Sequence, residues 1–182
     1  IHWTDSSDKP FYVKILPTTY VQVLGEADPD FLRPGLLVRF SGEIQGRGTM
    51  SQPIEELTIF TPREGYVIGI YNDGDDPMRT DGPKLVAGRL KSIKNGKLIV
   101  VAGDQQIKAE LAEEPTIKID INDYSLAATG DEITVSGLGF EQDKIEATGI
   151  EIQLTERLSS GKKKRTRPGK AESKPRPADD DR

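Results

Sequence analysis

Apolar and polar residues alternate with a period of two along most of this chain, and no window of 12 residues sustains the 3.6-residue period of an amphipathic helix. Strands are therefore expected at Phe11–Leu16, Tyr20–Leu24, Leu36–Ile44, Ile54–Phe60, Tyr66–Tyr71, Leu85–Ile93, Leu98–Val101, Gln106–Leu111, Ile117–Ile121, Ile133–Ser136 and Ile145–Leu154. Asn95-Gly96 separates two alternating runs. This is the strongest short hairpin signal, because both central residues of a type I′ turn take positive φ. Helix is confined to single turns.

The alternation repeats itself. Leu32-Arg33-Pro34-Gly35-Leu36-Leu37-Val38-Arg39-Phe40-Ser41-Gly42 aligns without a gap on Ala127-Ala128-Thr129-Gly130-Asp131-Glu132-Ile133-Thr134-Val135-Ser136-Gly137. Gly35 matches Gly130, Val38 matches Ile133, Phe40 matches Val135, and Ser-Gly closes both segments. Upstream, Val21-Gln22-Val23 matches Ile117-Lys118-Ile119. The chain reads as two copies of one small β-module. Each copy carries a short polar bridge before its turn glycine, in which Asp28 or Asp30, and Asn122 or Asp123, cap a single helical turn. Phe31 and Leu126 share one place in the two bridges and are expected to plug the bottom of a barrel. Strands, one helix-like bridge and two further strands suggest an OB-like barrel of five or six strands, with a small sandwich as the competing fold.

The fold class expected is thus all-β: two tandem OB-like modules and a disordered basic tail. The first module spans residues 1–71, a linker rich in Asp, Gly and Pro spans 72–83, the second module spans 84–156, and the tail spans 157–182. Phe11–Leu16 aligns with Gln106–Leu111, so the counterpart of the Leu85–Val101 hairpin falls before residue 1. The first module is expected to be incomplete at its N-terminus, with a bare edge at Tyr12, Val13, Lys14 and Ile15. Such an edge recruits a strand from another copy or from a partner protein.

Composition removes several classes of chemistry. With no Cys among 182 residues, the chain has no disulfide, thiolate zinc site, iron–sulfur cluster or cysteine nucleophile. A single histidine, His2, removes His-rich metal sites and leaves triad chemistry hanging on one terminal residue. No stretch approaches the ~18 consecutive apolar residues of a membrane span. Residues 157–182 carry ten basic and four acidic side chains, a net of +6, whereas residues 1–156 carry 15 and 26, a net of −11. The acidic body repels phosphate backbones. The tail is too poor in apolar residues to offset its ordering entropy. Its run Lys162, Lys163, Lys164, Arg165, Arg167 is the candidate polyanion contact.

Other site candidates are weaker. Asp73, Asp75 and Asp76 in the linker offer oxygen ligands to Ca²⁺, but the spacing fails the EF-hand pattern. The pairs Glu55-Glu56, Glu113-Glu114 and Asp131-Glu132 are adjacent in sequence, so on a strand they point to opposite faces and cannot span a cleft together. No phosphate-binding glycine loop occurs. Trp3, Tyr12, Tyr20, Tyr66 and Tyr71 are candidates for a stacking platform. Lys108, Lys118 and Lys144 alternate with Glu110, Asp120 and Glu146, which reads as a mixed, solvated face.

The segments Asp30–Gly42, Leu57–Pro62 and Val86–Ile93 resemble uncharacterised tandem β-barrel proteins of planctomycete bacteria, over roughly residues 11–156. The resemblance implies exported, OB-like repeat modules without assigned catalysis. Export to the cell envelope or outside the cell is accordingly favoured over the cytoplasm, and no functional residue carries over. The reading that follows is a non-enzymatic structural or interaction protein, without a cofactor, that pairs strands with another copy or with a partner. The alternative is an OB-type protein that binds nucleic acid or another polyanion through its basic tail.

Overall fold

The structure, a computed structural model, describes residues 2–4, 10–63, 67–73, 82–141 and 144–160. The described residues form twelve strands and two short 3₁₀ turns, with no α-helix among them. In chain order the strands are β1 (His2–Thr4), β2 (Pro10–Ala27), β3 (Leu37–Gly42), β4 (Ile44–Gln45), β5 (Thr49–Met50), β6 (Ile54–Phe60), β7 (Gly69–Asn72), β8 (Lys84–Lys94), β9 (Lys97–Ala102), β10 (Gln105–Ile121), β11 (Glu132–Glu141) and β12 (Lys144–Gln153). The 3₁₀ turns are Pro29–Phe31 and Tyr124–Leu126.

Five strands close a barrel. β8 and β9 form a hairpin about Asn95 and Gly96, whose φ values of 51° and 74° are those of the expected type I′ turn. β9 pairs with the first half of β10, β10 runs parallel to β6, β6 pairs antiparallel with β3, and β3 returns to β8. Parallel neighbours need a long crossover, and here it is the entire segment from β6 to β10. Val38, Phe40, Leu57, Ile59, Val86, Leu90, Leu98, Val100, Ile107 and Ile117 point inward, and all are buried. Gly88 sits where β8 leaves β3 for β9. A Cβ there would lie 2.3 Å from the Val101 carbonyl oxygen, so no side chain fits without moving the backbone. Gly88→Val is expected to lower stability by more than about 2 kcal/mol, measured as a shift of the urea midpoint. A midpoint unchanged from wild type would show that the closure is looser than this geometry.

The remaining long strands repeat those pairings without closing. β2 runs parallel to β12, β12 pairs antiparallel with β11, and β1 pairs with the start of β2. The registers correspond. Val38 faces Ile59 as Ile133 faces Ile152. On β10, residues 112–115 bulge against Glu55 alone, and on β2, residues 16–19 bulge against Thr148 alone. Gly35 and Gly130 hold the same turn at φ 101° and 100°. β2 and β10 then pair antiparallel with each other from Ala27↔Ile117 to Val23↔Ile121, joining the two strand groups about Leu24 and Asp120. One apolar core runs through both groups.

Three expectations are corrected by this arrangement. The division of the sequence at 72–83 is not a division in space, because the barrel takes β3 and β6 from before that segment and β8, β9 and β10 from after it. The runs Phe11–Leu16 and Tyr20–Leu24 are one strand rather than two. Pro17, which has no N–H to give a ladder, falls in the bulge, where Thr19 Oγ1 accepts from the Leu16 N–H and donates to the Ala147 carbonyl. The tail does not begin at residue 157: Leu158 is buried and bridges Ala27, its N–H bonds the Glu26 carbonyl at 2.9 Å, and Arg157 meets Glu26 at 2.6 Å. The bridges behave as expected at Asp123, which accepts from the Ser125 N–H at 3.0 Å, but Asp28 makes no such cap. Phe31 and Leu126 both pack against the core.

Candidate functional site

In the barrel, β8 stands between β3 and β9 and pairs with both. The second strand group has the same order, β11–β12–β2–β1, yet among the described residues no strand joins β11 to β1. The place that β8 holds in the barrel is taken by no described strand, and β11, which pairs only with β12 among the described strands, offers a flank there from Glu132 to Glu141.

Burial follows the gap. Val38 and Phe40 on β3 are 0% and 3% exposed beneath β8, whereas Ile133 and Val135, their counterparts on β11, are only half-buried. Leu111 and Ile117 on β10 are buried, and their counterparts on β2, Ile15 and Val21, are half-buried. Away from the gap the difference vanishes: Val23, Ile150 and Ile152 are as buried as Ile119, Leu57 and Ile59. The incomplete covering therefore coincides with the vacant strand position. A fully buried aliphatic side chain contributes about 1.5–3 kcal/mol, so four partly exposed ones leave a fraction of that available to whatever covers them.

The edge expected at Tyr12, Val13, Lys14 and Ile15 is paired on one flank with Lys144–Ala147, and Tyr12 also pairs with His2, while no described strand lies on the other flank of Val13, Lys14 and Ile15. A second, longer open flank belongs to β11. Sequence pattern alone missed it, because alternation says which way a side chain points and not which strand lies beside it.

The outer face of β2, β6 and β10 carries a polar cluster that the alternation misread. Asp120 is 7% exposed rather than solvated. Its carboxylate accepts from the Arg63 guanidinium and from Gln22 Nε2 at 3.0 Å, and it lies 3.5 Å from the Arg39 guanidinium. Its carbonyl accepts from the Thr61 N–H at 3.1 Å. The segment leaving β6 thus continues beside β10 and brings the Arg63 side chain onto the Asp120 carboxylate. Arg63 also donates to the Tyr20 hydroxyl, with its guanidinium 5.8 Å from that ring's centre.

Tyr12 and Tyr20 are half exposed on this face, as a stacking platform needs. The cations around them are engaged, however: Lys14 with Glu146 at 2.9 Å, Lys118 with Glu56 at 2.6 Å, and Arg39 and Arg63 with Asp120. A polyanion would have to displace carboxylates to reach them. Tyr71 is exposed on β7, away from β2; Tyr66 lies outside the described residues, and Trp3 is placed only by its backbone. Lys162, Lys163, Lys164, Arg165 and Arg167 also lie outside the described residues, as do Asp75 and Asp76; Asp73 is exposed, with its N–H bonded to the Pro83 carbonyl. A cavity of about 630 Å³ opens on the outside of the barrel beside Arg39, Ser41, Glu43, Glu55, Glu56 and Thr58, with three carboxylates to one guanidinium in its lining.

Comparison of the chain with protein-family models, with curated proteins and with solved structures finds no match.

Proposed function

We propose that this is a non-enzymatic interaction protein built from a duplicated OB-like unit whose copies have exchanged their last two strands, and that it binds by accepting a strand at the open flank of β11. The exchange accounts for the matched registers, bulges and turn glycines of the two strand groups. The observation that carries the function is the half-burial of Ile133, Val135, Ile15 and Val21 beside a flank that, in the closed barrel, is covered by β8. Strand addition supplies main-chain hydrogen bonds for affinity and side-chain pockets for selectivity. A bare edge next to a half-covered core is suited to both. The paired cations on the outer face speak against polyanion binding by the folded residues.

Selection from a library of displayed 12-residue peptides tests the reading. Recovered sequences are expected to alternate apolar and polar residues, and to lose binding to the variant Val135→Asp, which sets an inward charge on the flank. The variant's near-ultraviolet circular dichroism checks that the barrel is retained. Binders without that period, or binders indifferent to Val135→Asp, would overturn the proposal.

A further inference from the structure

The closed barrel specifies what fills the gap. β8 runs antiparallel to β3 with Leu37 opposite Arg89, Val38 opposite Gly88, Arg39 opposite Ala87, Phe40 opposite Val86 and Ser41 opposite Leu85. The matching residues of β11 are Glu132, Ile133, Thr134, Val135 and Ser136 in the same order. An occupant in this register sets an aliphatic side chain inward against Val135 and a small residue against Ile133. It also sets a residue opposite Glu132, where a cation is favoured because opposite charges across strands stabilise and like charges do not. The whole of residues 1–156, at −11, favours the same sign.

The geometry points to a single extended, cationic segment of a partner chain, patterned like β8, as the occupant of the gap. It lies antiparallel to β11 and continues toward β1. A second copy of this protein is a poor donor. Its β8 already pairs with β3, β7 and β9; β7, one edge of the strand order, is only four residues long; and β11, the other edge, holds Glu132 and Glu141 and no cation, so it would meet a strand of its own sign. β8 itself supplies the pattern: Lys84-Leu85-Val86-Ala87-Gly88-Arg89-Leu90-Lys91-Ser92-Ile93-Lys94 holds four cations and no acid. This inference rests on the strand-accepting reading and adds the polarity, charge and register of the strand accepted.

The natural absence of cysteine makes register measurable. Thr134 is exposed and corresponds to Arg39, which faces Ala87. The full chain carrying Thr134→Cys is mixed with synthetic peptides of the β8 sequence bearing one cysteine, at the Ala87 or at the Lys91 position. The Ala87-position peptide is expected to form the mixed disulfide about tenfold faster, because only it holds the thiols at high effective concentration. Hydrogen exchange on the wild-type chain provides the second measurement: the unmodified peptide should slow exchange of β11 amides, and a scrambled peptide of equal charge should not. Equal disulfide rates, or protection by the scrambled peptide, would reduce the effect to charge attraction and overturn the inference. If library-selected peptides still depend on Val135 while the β8 peptide does nothing, strand acceptance stands and the β8-like pattern is wrong. If both fail, the two proposals fall together.

Discussion

Alanine at Phe40 is expected to cost about 3–5 kcal/mol of unfolding free energy, the usual range for emptying a buried aromatic position, whereas alanine at Val135 is expected to cost less than about 1 kcal/mol. Phe40 is 3% exposed under β8, and Val135 holds the corresponding place with no described strand in the position of β8 and is only partly buried. Side-chain size contributes to that contrast, so the neighbouring pair provides the control. Val38→Ala removes two carbons from a site that is 0% exposed and is expected to cost about 2–3 kcal/mol. Ile133→Ala removes three carbons from the half-buried counterpart and is expected to cost only about 1 kcal/mol. Urea titrations of the four variants decide the matter. If the larger deletion at Ile133 costs as much as the one at Val38, the β11 side of the core is already covered and the gap does not exist in solution.

The second large effect is expected at Asp120. Asp120→Ala leaves the Arg39 and Arg63 guanidiniums side by side on a partly buried face, without the carboxylate between them. Removing one partner of a buried ion pair costs about 3–5 kcal/mol, and because the two arginines keep 32% and 22% of their side-chain surface, a value near about 3 kcal/mol is expected. Asp120→Asn keeps an oxygen for Gln22 Nε2 and loses the charge, so its cost should fall between wild type and alanine. The triple variant Asp120→Ala with Arg39→Ala and Arg63→Ala should recover part of the loss by removing the stranded cations. Equal stability of Asp120→Ala and wild type would mean that water screens the cluster fully.

Much of this architecture is legible in the sequence. Asn95-Gly96 can do little else between two alternating runs, and Gly35 and Gly130 announce turns of positive φ that the fold adopts almost identically. Strand faces follow from alternation alone, so Val38, Phe40, Leu57 and Ile59 are identifiable as core before any partner is known. Partner choice is different. Two strand groups with the same inward pattern offer nearly the same surfaces, so β6 and β12 are close to interchangeable beside β2 and β10. Which pairing wins depends on chain reach and on the completed barrel, neither of which is written in a local pattern. Asp120 escapes the pattern for a related reason: its alternation matches that of Lys118, and only the side chains of Arg63, Arg39 and Gln22, brought from other strands and the segment beyond β6, bury it. Leu158 was misread because it is one apolar residue at the border of a polar run. Its burial comes from Glu26 and Ala27, some 130 residues earlier in the chain.

The order of the strands in the sheet has a consequence for the order in which the molecule can be made. β2 emerges from the ribosome long before its two main neighbours, and β3 and β6 precede the strands that enclose them. Chains dominated by such distant pairings have high contact order and fold slowly. Until β10 is synthesised the leading third of this protein has apolar strands and no barrel to place them in. β10 is therefore the keystone, since its two halves pair with β9 and β2 while β6 lies along it. A polypeptide stalled before residue 105 would be a target for chaperones rather than a smaller folded domain.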